Sequence, residues 1–286
     1  MKQKEIKEIL EQKNIKVKKK FGQNFLTDDG ILSKIAHVLK PSKIVLEIGP
    51  GLGTLTEKLL DVNDKVLAYE IDSDLIDILN DKFKERIILR NIDFLDVSID
   101  EDILKVLKEQ NTEVNSINLV ANLPYYITTP ILIKILEESK IINELVIMVQ
   151  KEVGDRFIGK PNTKDYNALS VLIQTYMDVE KVCSVPKECF YPMPLVDSVV
   201  IHLKRKERII NIINEDTFKK INRLLFRFRR KTINNNLKDI YSKELLDEMY
   251  KELKLSQTIR AEALSVEQIV LIANYVEMHK WNHMQK

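Results

Sequence analysis

The stretch "EIGPGLG", residues 47–53, is the most informative part of the sequence for the fold, because three glycines at alternate positions follow directly on an apolar run. The overlapping "KIVLEIG", residues 43–49, is typical of a strand that is buried on both faces. A glycine-rich turn between a strand and a helix lets the backbone approach a ligand closely. The spacing is GxGxG, since Thr54 stands where the dinucleotide fingerprint needs its third glycine. No Gly-Lys-Ser/Thr sequence follows, so this turn is not a phosphate-binding P-loop either.

Outward from this turn, strand and helix patterns alternate along the chain. Strands are predicted over 43–49, 65–71, 86–91, 116–122 and 143–150, with a helical pattern after each of the first four. This alternation indicates βαβ units around a parallel sheet, that is, an α/β Rossmann-like fold. Two later strands, over 177–185 and 197–205, are expected to close the sheet with an antiparallel edge. Only helical spacing continues beyond them, so we expect a first domain over 1–207 and a small helical domain over 208–286.

Basic residues cluster in two places, although the formal net charge is only +2. Residues 1–20 hold eight lysines against three glutamates, and "KKINRLLFRFRRK", residues 219–231, holds seven basic residues and no acid. Such blocks are either nucleic-acid contacts or solvated helix faces. The same two readings apply to Phe226 and Phe228, which either stack on RNA or pack in the core. The candidate RNA contacts are Lys18, Lys19, Lys20, Arg223, Arg227, Arg229, Arg230 and Lys231.

Several classes of protein are excluded by what the sequence lacks. There is no secretory signal and no apolar stretch of about 18 residues, so we expect a cytoplasmic protein without a membrane span. Cys183 and Cys189 show no metal-binding spacing and are expected to be free thiols. His37 and His202 are isolated in sequence, and no metal site is expected.

Acidic residues follow the next two predicted strands. Glu70 ends the second strand about 20 residues after the glycine turn, where an acid can bind a ribose diol. Asp93 and Phe94 follow the third strand and offer a hydrogen bond and a stacking face to a base. With Gly49 and Gly51 near an amino-acid tail, this set fits a nucleoside without pyrophosphate, and S-adenosylmethionine is such a ligand. The alternative is a tight turn with surface acids.

The fourth strand ends in "NLPYY", which starts at Asn122 and should lie at the ligand-binding edge of the sheet. The Asn122 carbonyl oxygen can accept a hydrogen bond from an aromatic amine and so direct its lone pair toward a methyl donor. Leu123 and Pro124 continue this corner, Pro124 stiffens it, and Tyr125 can stack on the base. Phe190, in "FYPMP", is expected to be the second ring of the pocket. Such chemistry requires the base to leave its stack. An ordinary turn with core tyrosines is the alternative.

With these motifs the sequence resembles the ribosomal RNA adenine N6-dimethyltransferases, and in particular their bacterial small-subunit branch. The matching segments are "FGQNFL" (21–26), "EIGPGLGTLT" (47–56), "NLPYYITTPIL" (122–132), "YPMPLVDSVVIHL" (191–203), "RRKTINNNLK" (229–238) and "RAEALSVEQIVLIANY" (260–275). The resemblance implies dimethylation of two adjacent adenosines in a hairpin loop near the 3′ end of 16S rRNA, in the small (30S) ribosomal subunit. It also implies a helical domain that docks on the subunit, a monomeric state, and a role in subunit biogenesis.

The resemblance also implies roles for individual residues. The donor is expected to contact Asn24, Leu26, Gly49, Glu70, Asp93 and Asn122. Asn122 and Tyr125 are expected in the target-adenine pocket, with Phe190 as its second ring. Three alternatives stay open at this point: a 23S rRNA methyltransferase of the large-subunit branch that gives macrolide resistance, a non-catalytic ribosome assembly factor, and a small-molecule N-methyltransferase.

Overall fold

The protein is described by a computed structural model that covers residues 2–18, 21–208 and 210–279. Its helices are α1 (Gln3–Gln12), α2 (Asp29–Ala36), α3 (Thr54–Val62), α4 (Ser73–Phe83), α5 (Ile99–Glu109), α6 (Thr128–Glu138), α7 (Lys151–Phe157), α8 (Ala168–Tyr176), α9 (Glu215–Leu225), α10 (Ile233–Leu237), α11 (Lys243–Glu252) and α12 (Val266–His279). Its strands are β1 (Phe25–Leu26), β2 (Ile44–Ile48), β3 (Lys65–Tyr69), β4 (Ile87–Arg90), β5 (Ile117–Asn122), β6 (Ile142–Gln150), β7 (Met177–Val185), β8 (Phe190–Tyr191) and β9 (Ser198–Arg205).

Seven of these strands form one sheet in the order β4-β3-β2-β5-β6-β9-β7. The pairs from β4 to β6 are parallel, and β9 pairs antiparallel with β6. The order reverses at β2, so the carboxyl ends of β2, β3 and β5 meet at one edge, where a doubly wound sheet binds its ligand. The predicted α/β Rossmann-like fold and its antiparallel closure are confirmed.

The strand that precedes the glycine turn is buried along its whole length. All five residues of β2 are buried, which agrees with a continuous apolar run covered on both faces. Gly53 then starts α3 with a φ of +74°, in the left-handed region. A Cβ at this position would lie 2.4 Å from Cε2 of Phe83. The turn therefore needs glycine at position 53 for both its backbone conformation and its packing.

A second, two-stranded sheet brings a distant loop to the N-terminal segment. β1 pairs antiparallel with β8, with Leu26 opposite Phe190 and Phe25 opposite Tyr191. Both strands have only two residues, too short for a period-2 pattern to reveal them in the sequence. Their pairing holds residues 21–26 beside the large sheet.

The chain divides into two compact units that differ from the predicted domains. The first unit covers the chain up to Gly154 together with Glu180–Arg205, and it contains most of the large sheet. The second unit covers Asp155–Val179 and the chain from Lys206 onward. The prediction placed the whole of 1–207 in the first domain, whereas the structure groups 155–179 with the helical unit.

The helical unit has its own apolar core. α9 begins at the cap Asn214, whose side chain accepts a hydrogen bond from the Thr217 N–H at 2.9 Å. Its buried Phe218, Ile221 and Leu225 form one face at helical spacing, and they pack in a core with residues of α8, α11 and α12. Within the described residues no helix is both long and apolar enough to cross a membrane.

Candidate active site

A cleft opens in the first unit at the carboxyl ends of β2, β3, β4 and β5. It contains about 1100 Å³ of space between protein atoms, part of it open to solvent. The structure brings the following predicted residues together in its wall: Asn24, Leu26, Gly49, Gly51, Glu70, Asp93, Phe94, Asn122, Leu123, Pro124 and Tyr125. They come from five separate segments of the sequence.

The glycine turn forms the floor of this cleft. Gly49 has a φ of +68°, and a Cβ placed there would meet no atom within 4 Å. The missing side chain therefore leaves open space beside the backbone, as a ligand that approaches the turn requires. The Gly51 N–H donates to Oε2 of Glu70 at 3.1 Å, which ties the turn to the end of β3.

Glu70 is buried, and backbone N–H groups hold its carboxylate in place. Its second oxygen, Oε1, accepts a hydrogen bond from the Asp72 N–H at 2.8 Å. Burial raises the pKa of Glu70 above its ordinary value, although the N–H groups of Asp72 and Gly51 oppose that shift. A fixed, desolvated carboxylate with further acceptor positions at a strand end suits the hydroxyl groups of a ribose.

The wall after β4 combines an acid with apolar surface. Asp93 accepts the Leu95 N–H at 2.9 Å through Oδ1, which leaves Oδ2 on the same carboxylate for a ligand donor. Phe94 was expected to stack on a base, but its ring is buried edge-to-face against Tyr69 at 5.2 Å between centroids. The exposed apolar residues of this wall are Ile71 and Ile92, which were not predicted from the sequence. The carboxylate oxygens of Glu70 and Asp93 accept hydrogen bonds, and together with this apolar lining they fit an adenosine.

The corner after β5 is held by the N-terminal segment. The Asn122 amide nitrogen Nδ2 donates to the backbone oxygen of Asn24 at 3.0 Å. This bond fixes the amide plane, so the carbonyl oxygen Oδ1 lies on the opposite side, available as an acceptor. The half-buried Tyr125 hydroxyl is hydrogen-bonded to Oγ of Ser198 at 2.9 Å, and burial raises its pKa. The hydrogen bond to Ser198 thus fixes the position of the Tyr125 ring.

Phe190 is not in the wall of the cleft, contrary to the prediction of a second ring. It is 2% exposed and packs in the core with Phe25 and Leu26, because β8 turns its side chain inward opposite β1. Tyr126, for which the sequence predicted no role, lines the cleft and is 56% exposed. A second aromatic surface at the mouth is therefore provided by the neighbour of Tyr125.

A buried acid, Glu47, also borders the cleft and received no role from the sequence. It is 1% exposed, and the Thr56 hydroxyl donates to its Oε2 at 2.7 Å. Burial raises the pKa of Glu47 to about 8, the Thr56 hydrogen bond opposes that shift, and the nearby Glu70 adds to it. A glutamate inside an otherwise apolar strand was the signal that could have revealed it.

The predicted RNA contacts divide into three groups. Lys18 is 28% exposed, and its ammonium is paired with Asp72 at 2.5 Å and Asp74 at 2.7 Å, so it is engaged within the chain rather than displayed to RNA. Lys19 and Lys20 lie outside the described residues. The others are exposed in the helical unit: Arg223, Arg227, Arg229, Arg230 and Lys231.

The two phenylalanines of the basic run differ in burial. Phe226 is partly buried and meets Tyr166 edge-to-face at 5.8 Å. Phe228 is 45% exposed, with Arg227 and Lys231 over its ring at 5.0 and 4.8 Å from the centroid. Arg229 differs from its neighbours, because it pairs with Glu262 at 3.1 Å. In the part of the chain that the structure describes, no group of three or more His, Cys, Asp or Glu side chains could hold a metal ion.

Comparison with known proteins gives similar sequences over nearly the whole chain. The family model of ribosomal RNA adenine dimethylases matches residues 14–278. Proteins named ribosomal RNA small subunit methyltransferase A from Bacillus cytotoxicus and Bacillus cereus are each 42% identical over 284 residues, which cover 96% of this chain and 96% of theirs.

Solved structures agree with this result. A dimethyladenosine transferase from Plasmodium falciparum superposes with a TM-score of 0.73 and 25% identity, over 90% of this chain and 98% of that one. The 23S rRNA methyltransferase ErmE gives a TM-score of 0.65, also at 25% identity, over 88% of this chain and 99% of that one. The chain therefore belongs to the ribosomal RNA adenine dimethylase family.

Proposed function

We propose that this protein dimethylates the N6 amines of two adjacent adenosines in the 3′-terminal hairpin loop of 16S rRNA, within the small ribosomal subunit. Family membership confirms the predicted reaction class, an rRNA adenine dimethyltransferase, and its methyl donor, S-adenosylmethionine. The identity of the two adenosines, the 30S subunit as partner, a monomeric state and action in the cytoplasm remain predictions.

One observation carries the proposal: a carboxylate suited to a ribose and an amide suited to an aromatic amine face the same cleft. Glu70 and Asp93 lie on one side, at the ends of β3 and β4, and Asn122 lies at the end of β5. S-adenosylmethionine supplies an electrophilic methyl group when it is bound. The residues that would hold it are Asn24, Leu26, Gly49, Gly51, Glu70, Asp93 and Asn122, with Ile71 and Ile92 as apolar surface in place of the buried Phe94 ring.

Asn122 and Tyr125, at the end of β5, make the weakly nucleophilic N6 amine of adenine ready for methyl transfer. The Asn122 oxygen Oδ1 accepts a hydrogen bond from the adenine N6–H and thereby favours a pyramidal nitrogen whose lone pair has left the ring. Asn122 does not ionise, so it orients the amine without removing its proton. Tyr125, fixed by Ser198, supports the face of the base. Positioning and hydrogen bonding supply the rate enhancement.

The experiment that tests this proposal offers labelled S-adenosylmethionine to small and to large ribosomal subunits that lack the modification. We expect label in small-subunit RNA, recovered as N6,N6-dimethyladenosine. Label only in large-subunit RNA would contradict the proposal and favour the activity that the name of ErmE describes. Tight binding to small subunits without any label would favour a non-catalytic assembly factor.

A further inference from the structure

The segment 21–24, here called the strap, lies along the cleft and is fixed at both ends. Its residues Phe21, Gly22, Gln23 and Asn24 all line the cleft. At one end, the Asn24 backbone oxygen accepts the hydrogen bond from Asn122. At the other end, the Phe21 N–H donates to the Lys18 backbone oxygen at 3.0 Å. What holds Lys18 therefore also decides where the strap lies.

Lys18 and the strap are both bound to one buried acid, Asp72. The Asp72 side chain has no exposed surface. Its Oδ1 accepts from Nζ of Lys18 at 2.5 Å, and its Oδ2 accepts from Nε2 of Gln23 at 2.7 Å. The Lys18 N–H in turn donates to Oε1 of Gln23 at 2.8 Å, which closes a ring of three residues.

The same acid is connected directly to the ribose-binding carboxylate. The Asp72 N–H donates to Oε1 of Glu70, two residues earlier in the chain. Asp72 thus contacts the end of β3 through its backbone, Lys18 through Oδ1 and the strap through Oδ2. The strap continues the connection to Asn122, on the acceptor side of the cleft.

The hydrogen bonds to Asp72 affect its pKa more strongly than burial does. Burial alone would raise the pKa of Asp72, but the hydrogen bonds from Lys18 and Gln23 outweigh it and hold the pKa below its ordinary value. Removing Lys18 would leave the buried Asp72 carboxylate without its cation, whereas removing the Asp72 charge would leave Lys18 paired with Asp74 alone.

Asp72 also has an ordinary structural role, which a test must separate from its contact with the strap. It is the cap of α4, where Oδ1 accepts the Asp74 N–H at 3.2 Å. Asparagine caps helices about as well as aspartate. The substitution Asp72→Asn therefore preserves the cap while it removes the charge that binds Lys18.

We propose that Asp72 is a positioning residue for the donor site: by binding Lys18 and Gln23 it holds the strap in place and sets the affinity for S-adenosylmethionine. This inference rests on the proposed function only in the identity of the donor. It also gives Lys18 a different role from the RNA contact that the sequence suggested.

The test measures binding of S-adenosylhomocysteine, the product form of the donor, by calorimetry in the absence of RNA. The variants are Lys18→Met, Asp72→Asn and the double variant, with Lys16→Met as a matched control on an exposed lysine of the same segment. Each single change is expected to raise Kd about tenfold, the effect of losing one charge-assisted hydrogen bond. The double variant should bind S-adenosylhomocysteine no more weakly than the weaker-binding of the two single variants, because both substitutions break the same Lys18–Asp72 pair.

Activity assays add a signature that a purely structural role would not produce. The KM for S-adenosylmethionine should rise with Kd, while kcat at saturating donor changes less than about threefold. Lys18→Arg, which keeps the charge, should restore most of the affinity. If Asp72→Asn does not fold, Lys18→Met and Lys18→Arg carry the test.

The outcomes separate this inference from the proposed function. Values of Kd within twofold of the unaltered protein for Lys18→Met would overturn the inference and leave the function intact. Additive losses in the double variant would also overturn it, since they would mean independent roles. A loss of RNA affinity alone in Lys18→Met would restore the RNA contact predicted from sequence. Failure of the unaltered protein to bind would reject the donor and the inference together.

Discussion

Glu47 is a buried acid in an otherwise aliphatic strand, and the sequence alone assigns it no role. Four of the five residues of β2 are aliphatic, and the fifth is this acid, buried with its neighbours. Because its pKa in the folded protein is about 8, it carries a proton near neutral pH. The unfolded chain loses that proton near the ordinary value of about 4.5. Folding is therefore linked to proton binding at this position.

The substitution Glu47→Gln should make the protein less sensitive to alkaline pH. Between pH 4.5 and 8 the folded protein holds a proton that the unfolded chain has released, so the stability of the unaltered protein falls as pH rises. Glutamine keeps the shape and an oxygen for the Thr56 hydroxyl, but it does not titrate. Urea unfolding at pH 5 and pH 8 should show the variant gaining about 2–4 kcal/mol on the unaltered protein over this range. An equal pH dependence in both proteins would show that Glu47 ionises normally in the folded state.

At this scale, residue type predicted the chemistry of the site better than it predicted the orientation of side chains. Glu70, Asp93 and Asn122 reach one cleft because each ends or follows a parallel strand, which the sequence reveals. Phe190 is buried because β8 pairs with β1, and neighbouring residues in a strand point to opposite faces. Lys18 meets Asp72 across 54 positions of sequence, a contact that no local pattern encodes.

Among the elements, the turn from β2 into α3 depends most on a single residue. Gly53 combines a positive φ with the close approach of the Phe83 ring. The substitution Gly53→Ala should lower the free energy of unfolding by about 1–3 kcal/mol, through backbone strain and displacement of that ring. Thermal unfolding monitored by circular dichroism measures this loss.

Gly30→Ala provides the control for that change. Gly30 lies within α2, is exposed and has no positive φ, and a Cβ there would meet only Oδ1 of the cap Asp28, at 3.3 Å. Alanine should therefore change the free energy of unfolding by less than about 1 kcal/mol. Equal stabilities for the two variants would mean that the turn tolerates a side chain, and that the positive φ at position 53 is not required.

Most strands could be predicted because continuous apolar runs bounded by polar turns leave few alternatives. The five parallel strands start and end within two residues of the predictions. The helices α1, α2, α7, α8 and α10 were not predicted; α7 follows directly on β6 without a turn between them, and α10 has only five residues. The two-residue strands β1 and β8 were also missed, since only their pairing defines them.

For the whole molecule, the two units divide the charge as well as the chain. The cleft with its acids belongs to the first unit, and the exposed basic run 219–231 belongs to the second. The sequence predicted the acidic site and the basic run, but it did not predict that residues 155–179 belong to the helical unit. These residues are distant in sequence from the helices they pack with. Contacts such as that of the Asn222 side chain with the Ala168 backbone oxygen, at 2.8 Å, place them in the helical unit.

The basic run should contribute to RNA affinity through phosphate contacts. The triple substitution Arg223→Gln, Arg227→Gln and Arg230→Gln should reduce the slope of log K against log salt by about 2, if each arginine contacts one phosphate. Filter binding of small-subunit RNA at several salt concentrations measures this slope. Lys251→Met, on an exposed residue of α11, is the control and should change the slope little. An unchanged slope in the triple variant would identify these residues as a solvated face.

We infer that one cleft holds the donor on its Glu70 side and the target amine at Asn122. The Asn122→Ala variant tests this arrangement when it is assayed both for methyl transfer to unmodified small subunits and for subunit binding. We expect transfer to fall at least about a hundredfold, as when one hydrogen-bonding group of a preorganised site is removed, with subunit binding within about threefold of the unaltered protein. Transfer that survives the substitution at an ordinary rate would contradict the account.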